Sequence, residues 1–318
     1  AAGHRLAQLG QSGIAMFASA KPENWWGLRP LTTNAISPTE PIHLSASTIK
    51  DIEQCPAKWY LEHEVQAKSD KGTSMLFGSV IHKIAEGIET GQLAADIEQI
   101  DAHLDRVWPG MGFETPWEKD YQRTQAHVVS ERLLAWLMSR GDVESIAESK
   151  LKVTTNVTLA DSSGDTQSIE IAILGFADRI EFRADGIVVF DYKTGKDPEK
   201  RLDLPKNLQL ALYAFMISNG TYTRNGEEVS LSADDTVHGA GLIQLRSEEP
   251  AAPDLPLVQQ VAVGAHDSKN KITLEERMAA AAQIIRDEHF VAKPDDFTCK
   301  YCSVRFLCPA QAEGRQVL

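Results

Sequence analysis

Two hydrophobic periods divide this chain. After Ser45 or Ser47, either of which can cap a helix, Ile49, Ile52, Cys55 and Trp59 recur at helical spacing, and Pro56 marks a kink or a restart. A second helix is predicted over residues 76–88. From about 93 to 140 the pattern stays helical, with breaks at Pro109-Gly110 and Pro116, and reads as an insertion on the surface. The period then falls to two. Residues 150–160 and 168–184 alternate and are rich in Val, Ile, Thr and Phe, with the turn-forming run Asp161-Ser162-Ser163-Gly164-Asp165 between them. A third strand is predicted over 187–193, joined to the second by a hairpin at Asp185-Gly186. There follow a helix over 204–218, a polar loop to Asp235, strands over 237–245 and 257–263, and a helix over 273–289. Residues 1–44 show little periodicity; Pro22, Pro30, Pro38, Pro41 and the pair Trp25-Trp26 predict an extended arm anchored by the tryptophans, ahead of one domain over 45–318.

The 318 residues suffice to bury a substantial core, and no apolar run approaches the ~20 residues that span a bilayer. With no basic segment followed by an apolar one at the start, the expectation is a cytoplasmic protein, or a fragment of a longer one, with no membrane partner. The net charge of −13 at first argues against a polyanionic partner. Its distribution weakens that objection. Between Ala85 and Ser149, 5 basic residues face 13 acidic ones, so that segment carries 5 − 13 = −8 of the excess and the rest is only mildly acidic. A nucleic acid can bind if the acidic segment faces away from it.

Gly175-Phe176-Ala177-Asp178-Arg179-Ile180 and Val188-Val189-Phe190-Asp191-Tyr192-Lys193-Thr194-Gly195 carry the candidate chemistry. A two-residue hairpin loop pairs 180 with 191; a four-residue loop pairs 178 with 191. Either register puts Asp178, Asp191 and Lys193 on one face, because side chains alternate and cross-strand partners point the same way; only an odd loop or a bulge would break this. A solvated Asp–Lys pair at a sheet edge fits the spacing too. The chemical alternative is a divalent-metal site, since hard carboxylate oxygens suit Mg²⁺ or Mn²⁺, with the lysine orienting a water or neutralising developing charge.

These residues resemble the RecB-type branch of the PD-(D/E)XK nucleases. Asp178 is similar to the first acidic residue of that motif, and Asp191-Tyr192-Lys193 to its acidic-x-lysine element. Gly78-Ser79-Val80-Ile81-His82 resembles the upstream helix motif, and Gln209-Leu210-Ala211-Leu212-Tyr213 the downstream Gln-x-x-x-Tyr helix. The resemblance implies an α/β fold, with a restriction-endonuclease-like core of central mixed sheet flanked by helices. It further implies metal held by His82, Asp178, Asp191 and the backbone carbonyl of Tyr192, with Lys193 catalytic and Gln209 and Tyr213 positioning DNA or the sheet. Alone, His82 reads as a structural histidine and Gln209 with Tyr213 as an ordinary i, i+4 pair. Glu148, just before the first strand, stands where related nucleases often carry an acid, and is a further candidate.

Cys299-x-x-Cys302-x5-Cys308 with a distant Cys55 is not a secreted disulfide pattern. It resembles the iron–sulfur staple of AddB-like and CRISPR-adaptation nucleases, which implies a [4Fe–4S] cluster closing the two ends of the domain. Tetrahedral Zn²⁺ on the same four sulfurs is the alternative. The arm resembles the junction ahead of the nuclease domain in AdnAB-type helicase–nucleases. No G-x-x-x-x-G-K-[ST] loop occurs, so unwinding would come from a helicase domain or subunit elsewhere. The function implied is a metal-dependent nuclease acting on single-stranded DNA ends in double-strand-break repair. A catalytically silent DNA-binding scaffold and a stand-alone CRISPR-adaptation nuclease are the competing readings.

Overall fold

The computed structural model describes residues 2–12, 14, 20–21, 41–67, 73–160, 166–247 and 254–315. The Trp25-Trp26 pair and the turn expected at 161–165 lie outside them. Two units divide the chain at residue 39. In the first, α1 (Ala2–Gln11) is helical where an extended arm is expected. The second begins at Glu40, and its first strand, β1 (Ile42–Leu44), pairs parallel with β3, so the expected arm ends before 42.

A mixed eight-stranded sheet organises the second unit. Its strands are β1, β2 (Glu144–Ala160), β3 (Thr166–Arg183), β4 (Gly186–Lys193), β5 (Thr221–Arg224), β6 (Glu227–Val229), β7 (Val237–Gln244) and β8 (Leu257–Ala262). The order is β6-β5-β2-β3-β4-β7-β8, with β1 beside β3 and the β4–β7 pair parallel. The chain therefore has the expected α/β fold, a mixed sheet flanked by helices. The segment read as a polar loop holds the β5–β6 hairpin, whose Asn225-Gly226 turn has φ of 53° and 84°. That is the asparagine–glycine pairing two-residue hairpins favour. Arg183 pairs with Gly186 and Phe182 with Ile187, so the β3–β4 turn falls on Ala184-Asp185, one residue earlier than expected.

One face of the sheet packs on α2 (Ala46–Gln54), α7 (Leu208–Asn219) and α9 (Leu274–Arg286), through Ile49, Ile52, Leu210, Ile217 and Met278. Ser45 caps α2 by accepting from the Thr48 amide, and Asn207 caps α7 through Leu210. The expected helix start at 204 is thus delayed. Pro56 restarts the chain as α3 (Pro56–His63), leaving Cys55 extended between two helices.

The opposite face packs on α4 (Thr73–Glu89), α5 (Ile97–Val107) and α6 (Pro116–Ser139). Here Ile100, Leu104, Trp108, Val129, Leu133 and Trp136 join Val188, Phe190 and Ile243 in a second core. The acidic stretch is therefore a covering layer of the fold and no surface insertion. Its charges lie on the outer sides of helices whose apolar stripes are buried. Smaller helices, α8 (Ala265–Lys269), α10 (Asp296–Lys300) and α11 (Ala312–Arg315), complete the chain. Among the described residues no helix is long and apolar enough to cross a membrane.

Candidate active site

The regular alternation of β2 and β3 breaks once, at a single cross-strand position. Leu151, Val153 and Ala177 face the first core from odd positions, whereas Ile146 and Ile180 face it from even ones. Between them stand Glu148 and Asp178, flanked by the pairs Ala147–Arg179 and Ser149–Ala177. Glu148 has φ of 47°, a left-handed backbone that a non-glycine residue adopts at a cost of about 1 kcal/mol or more. It lies within β2, which starts at Glu144 and not after it. The break also alters the expected sharing of one face. Asp178 meets α4, while Asp191 and Lys193 meet α7 on the other side, and the two halves join at the end of β4.

His82 comes from the middle of α4, where Gly78 lets the helix close on β4: a Cβ there would stand 3.2 Å from the Thr194 hydroxyl. His82 Nδ1 is 2.9 Å from Asp178 Oδ1, and Asp178 Oδ2 accepts from the Tyr192 amide at 2.6 Å. Asp178 is thereby fixed by a helix on one side and a strand backbone on the other. The carboxylate of Glu148 completes a group with His82 and Asp178 in which one ligand atom from each lies within 4.8 Å of the others. Burial opposes protonation of His82, but Asp178, Asp191 and Glu148 outweigh it and raise its pKa. Burial, reinforced by the Asp178 charge, raises Glu148.

On the other side, Asp191 Oδ1 accepts from Gln209 Nε2 at 2.6 Å, and the Tyr213 hydroxyl lies 3.2 Å away. Lys193 Nζ sits 2.7 Å from Asp191 Oδ2 and donates to Gln209 Oε1 at 2.8 Å. The Oδ2 atom is buried without a directed hydrogen bond, the lysine contact being ionic. Tyr213 donates to the Phe176 carbonyl at 2.7 Å, tying α7 to β3. Burial and the neighbouring Asp178 push the Asp191 pKa up, opposed by Lys193. The three carboxylates so placed repel one another, and oxygen and nitrogen donors of this kind fit a hard divalent cation. Among the described residues the tight group contains Glu148 in place of Asp191, which adjoins it.

Behind β4 lies a charged network that the sequence reading missed. Tyr192 donates its hydroxyl to Glu89 Oε1 at 2.9 Å, and Glu89 also pairs with Arg179. Arg179 Nε reaches Glu181 at 2.9 Å; Arg140 grips the same carboxylate at 3.0 and 3.1 Å, and Arg183 at 2.8 Å. Arg179 lies over the Trp136 ring, 5.4 Å from its centroid. Burial resists ionisation of Glu181, but three guanidinium groups overcome it and lower its pKa. Burial raises Glu89 despite Arg179. The alternation of Arg179, Glu181 and Arg183 along an otherwise apolar strand was the available signal.

The four cysteines form no disulfide. All four line one cavity, with about 420 Å³ free of protein atoms and open in part to solvent. Cys55 Sγ accepts weakly from the Lys293 amide at 3.5 Å and Cys299 Sγ from the Asp295 amide at 3.4 Å. No three thiols among the described residues come within 4.8 Å of one another. A single Zn²⁺ with Zn–S of about 2.3 Å would draw sulfurs to roughly 3.8 Å, so the thiols are not at zinc spacing.

A family model described as the PD-(D/E)XK nuclease superfamily matches residues 43–309. No curated protein matches the chain. Among solved structures, the crystal structure of SSO0001 is similar at 12% identity with a TM-score of 0.36, over 86% of this chain and 89% of that one.

Proposed function

The chain belongs to the PD-(D/E)XK nuclease superfamily, and from that premise we propose that it hydrolyses phosphodiester bonds of single-stranded DNA ends with a divalent metal, Mg²⁺ or Mn²⁺. The observation that carries this reading is the convergence of His82, Glu148 and Asp178 beside an Asp191–Lys193–Gln209 cluster. His82, Asp178, Glu148 and Asp191 would hold the metal, joined by the Tyr192 carbonyl. When bound, the ion supplies Lewis acidity toward water and the scissile phosphate. Lys193, pinned between Asp191 and Gln209, presents a fixed ammonium that orients the attacking water and offsets charge as it develops. Gln209 and Tyr213 hold Asp191 and so set the angle from which Lys193 acts. Asp191→Ala and Lys193→Ala are each expected to reduce metal-dependent release of label from end-labelled single-stranded DNA by about 10³-fold. A folded Asp191→Ala protein that cleaves as well as the native one would overturn the assignment.

We further propose a [4Fe–4S] cluster on Cys55, Cys299, Cys302 and Cys308. The support is the cavity that all four cysteines line, together with the spacing of Cys299, Cys302 and Cys308. The role proposed is end processing in recombinational repair of double-strand breaks, on strands delivered by a helicase domain or subunit. The motif resemblance supports it.

A further inference from the structure

Beyond the break at Glu148 and Asp178, β2 and β3 continue as a ladder whose two faces differ. Leu151 and Val153 pack inward with Ile173 and Ala177. The other face carries Lys150 opposite Phe176, then Lys152 opposite Leu174. Both lysines are exposed, Phe176 is 54% exposed and Leu174 40%. Two large apolar side chains left in water on a strand whose Ile171, Ile173 and Ala177 are buried on the inner side are costly unless something covers them. Among the described residues, Lys152 has Glu228 as its one carboxylate partner, 3.9 Å away, and Lys150 has none. The ladder runs directly from Glu148 and Asp178, and its Phe176 carbonyl is the atom held by Tyr213.

We propose that this face is a track for single-stranded nucleic acid leading into the metal-binding group, with Phe176 stacking a base and Lys150 and Lys152 holding phosphates. The proposal rests on the nuclease reading of the adjoining site. Charge supports it: a locally basic strip lies beside a cluster of carboxylates in a chain of net charge −13. Chemistry selects the strand type, since an aromatic face in water needs an unpaired base and a duplex buries its base faces inside the stack. The alternation of basic and apolar side chains at one cross-strand position each is the combination that such tracks use.

The test is fluorescence anisotropy on the full chain in EDTA, with labelled 20-mers of deoxythymidine and of uridine and a labelled 20-base-pair duplex. Thermal midpoints serve as the folding check. Phe176→Ala is expected to weaken binding of the single strands about tenfold and of the duplex much less. Lys150→Glu/Lys152→Glu is expected to weaken binding and to lower the slope of log K against log salt by about 1.4. Equal losses on the two homopolymers assign the track to single strands of either sugar, and a loss on one alone assigns it to that nucleic acid. Unchanged single-strand affinity and salt slope in both folded variants would overturn the track. The nuclease reading fails separately: a native chain whose binding depends on Phe176 and the lysines, yet which releases no fragments with Mn²⁺, keeps the track and loses the reaction.

Discussion

At the carboxylate site Asp178 and Asp191 are each held by partners that a strand or a long helix fixes in place. Asp178 lies between His82 and the Tyr192 amide, and Asp191 between Lys193 and Gln209. Tyr192 is in turn pinned from behind by Glu89. The cysteine region is made differently. Cys55 sits in a one-residue gap between helices, Cys299 lies within the five-residue α10, and Cys302 and Cys308 lie in the short irregular stretch that follows it. The sulfurs of Cys55 and Cys299 accept long amide contacts, at 3.5 and 3.4 Å. The first region is organised by its own side chains; the second has few such contacts of its own. A lesion at the carboxylates should therefore remove chemistry and leave the fold, and a lesion at the cysteines should do the reverse.

The largest separation is expected between Lys193→Ala, with its loss of cleavage and an unchanged urea midpoint, and Cys302→Ser. For the latter, loss of the closure that the proposed cluster would make between Cys55 and the C-terminal triplet should cost about 4 kcal/mol, measured by urea unfolding of anaerobically purified protein. Equal stability of Cys302→Ser and native chains would erase the contrast. Next, Tyr192→Phe removes the hydroxyl that Glu89 accepts from, and should cost about 2 kcal/mol by the same measurement, because a buried carboxylate loses a donor.

The smallest effect concerns Glu148. Its pKa is raised in the folded chain, so the folded state holds its proton more tightly and ionisation is a penalty present above the raised value. The penalty vanishes below the ordinary glutamate range, where both states are protonated. Glu148→Gln should thus gain roughly half a kcal/mol over the metal-free native chain at neutral pH, a figure discounted for its partial exposure, and nothing in acid. Thermal midpoints across pH in EDTA check it; an equal gain at every pH would locate the effect in something other than charge.

Much of the sheet was legible because its signals are local. The β3–β4 strands alternate, the hairpin follows one of the two expected registers, and Gln209 and Tyr213 stand four residues apart on α7. Glu148 was misplaced because its left-handed backbone breaks the alternation that locates a strand, and the break shows in no composition. The acidic layer was misread since charge counts the outer side of a helix, while Leu104, Leu133 and Trp136 on the inner side decide where it packs. The Glu89–Arg179–Glu181 network joins residues far apart in sequence, and only the fold brings them together.

His82, Glu148 and Asp178 are the proposed binding site for a hard divalent ion. Calorimetric titration of the metal-free chain with Mn²⁺ tests it most directly, comparing the native protein with Asp178→Asn and Cys302→Ser. The expected result is Mn²⁺ binding by the native and Cys302→Ser chains and its loss in a folded Asp178→Asn. Undiminished Mn²⁺ binding by Asp178→Asn would contradict the account.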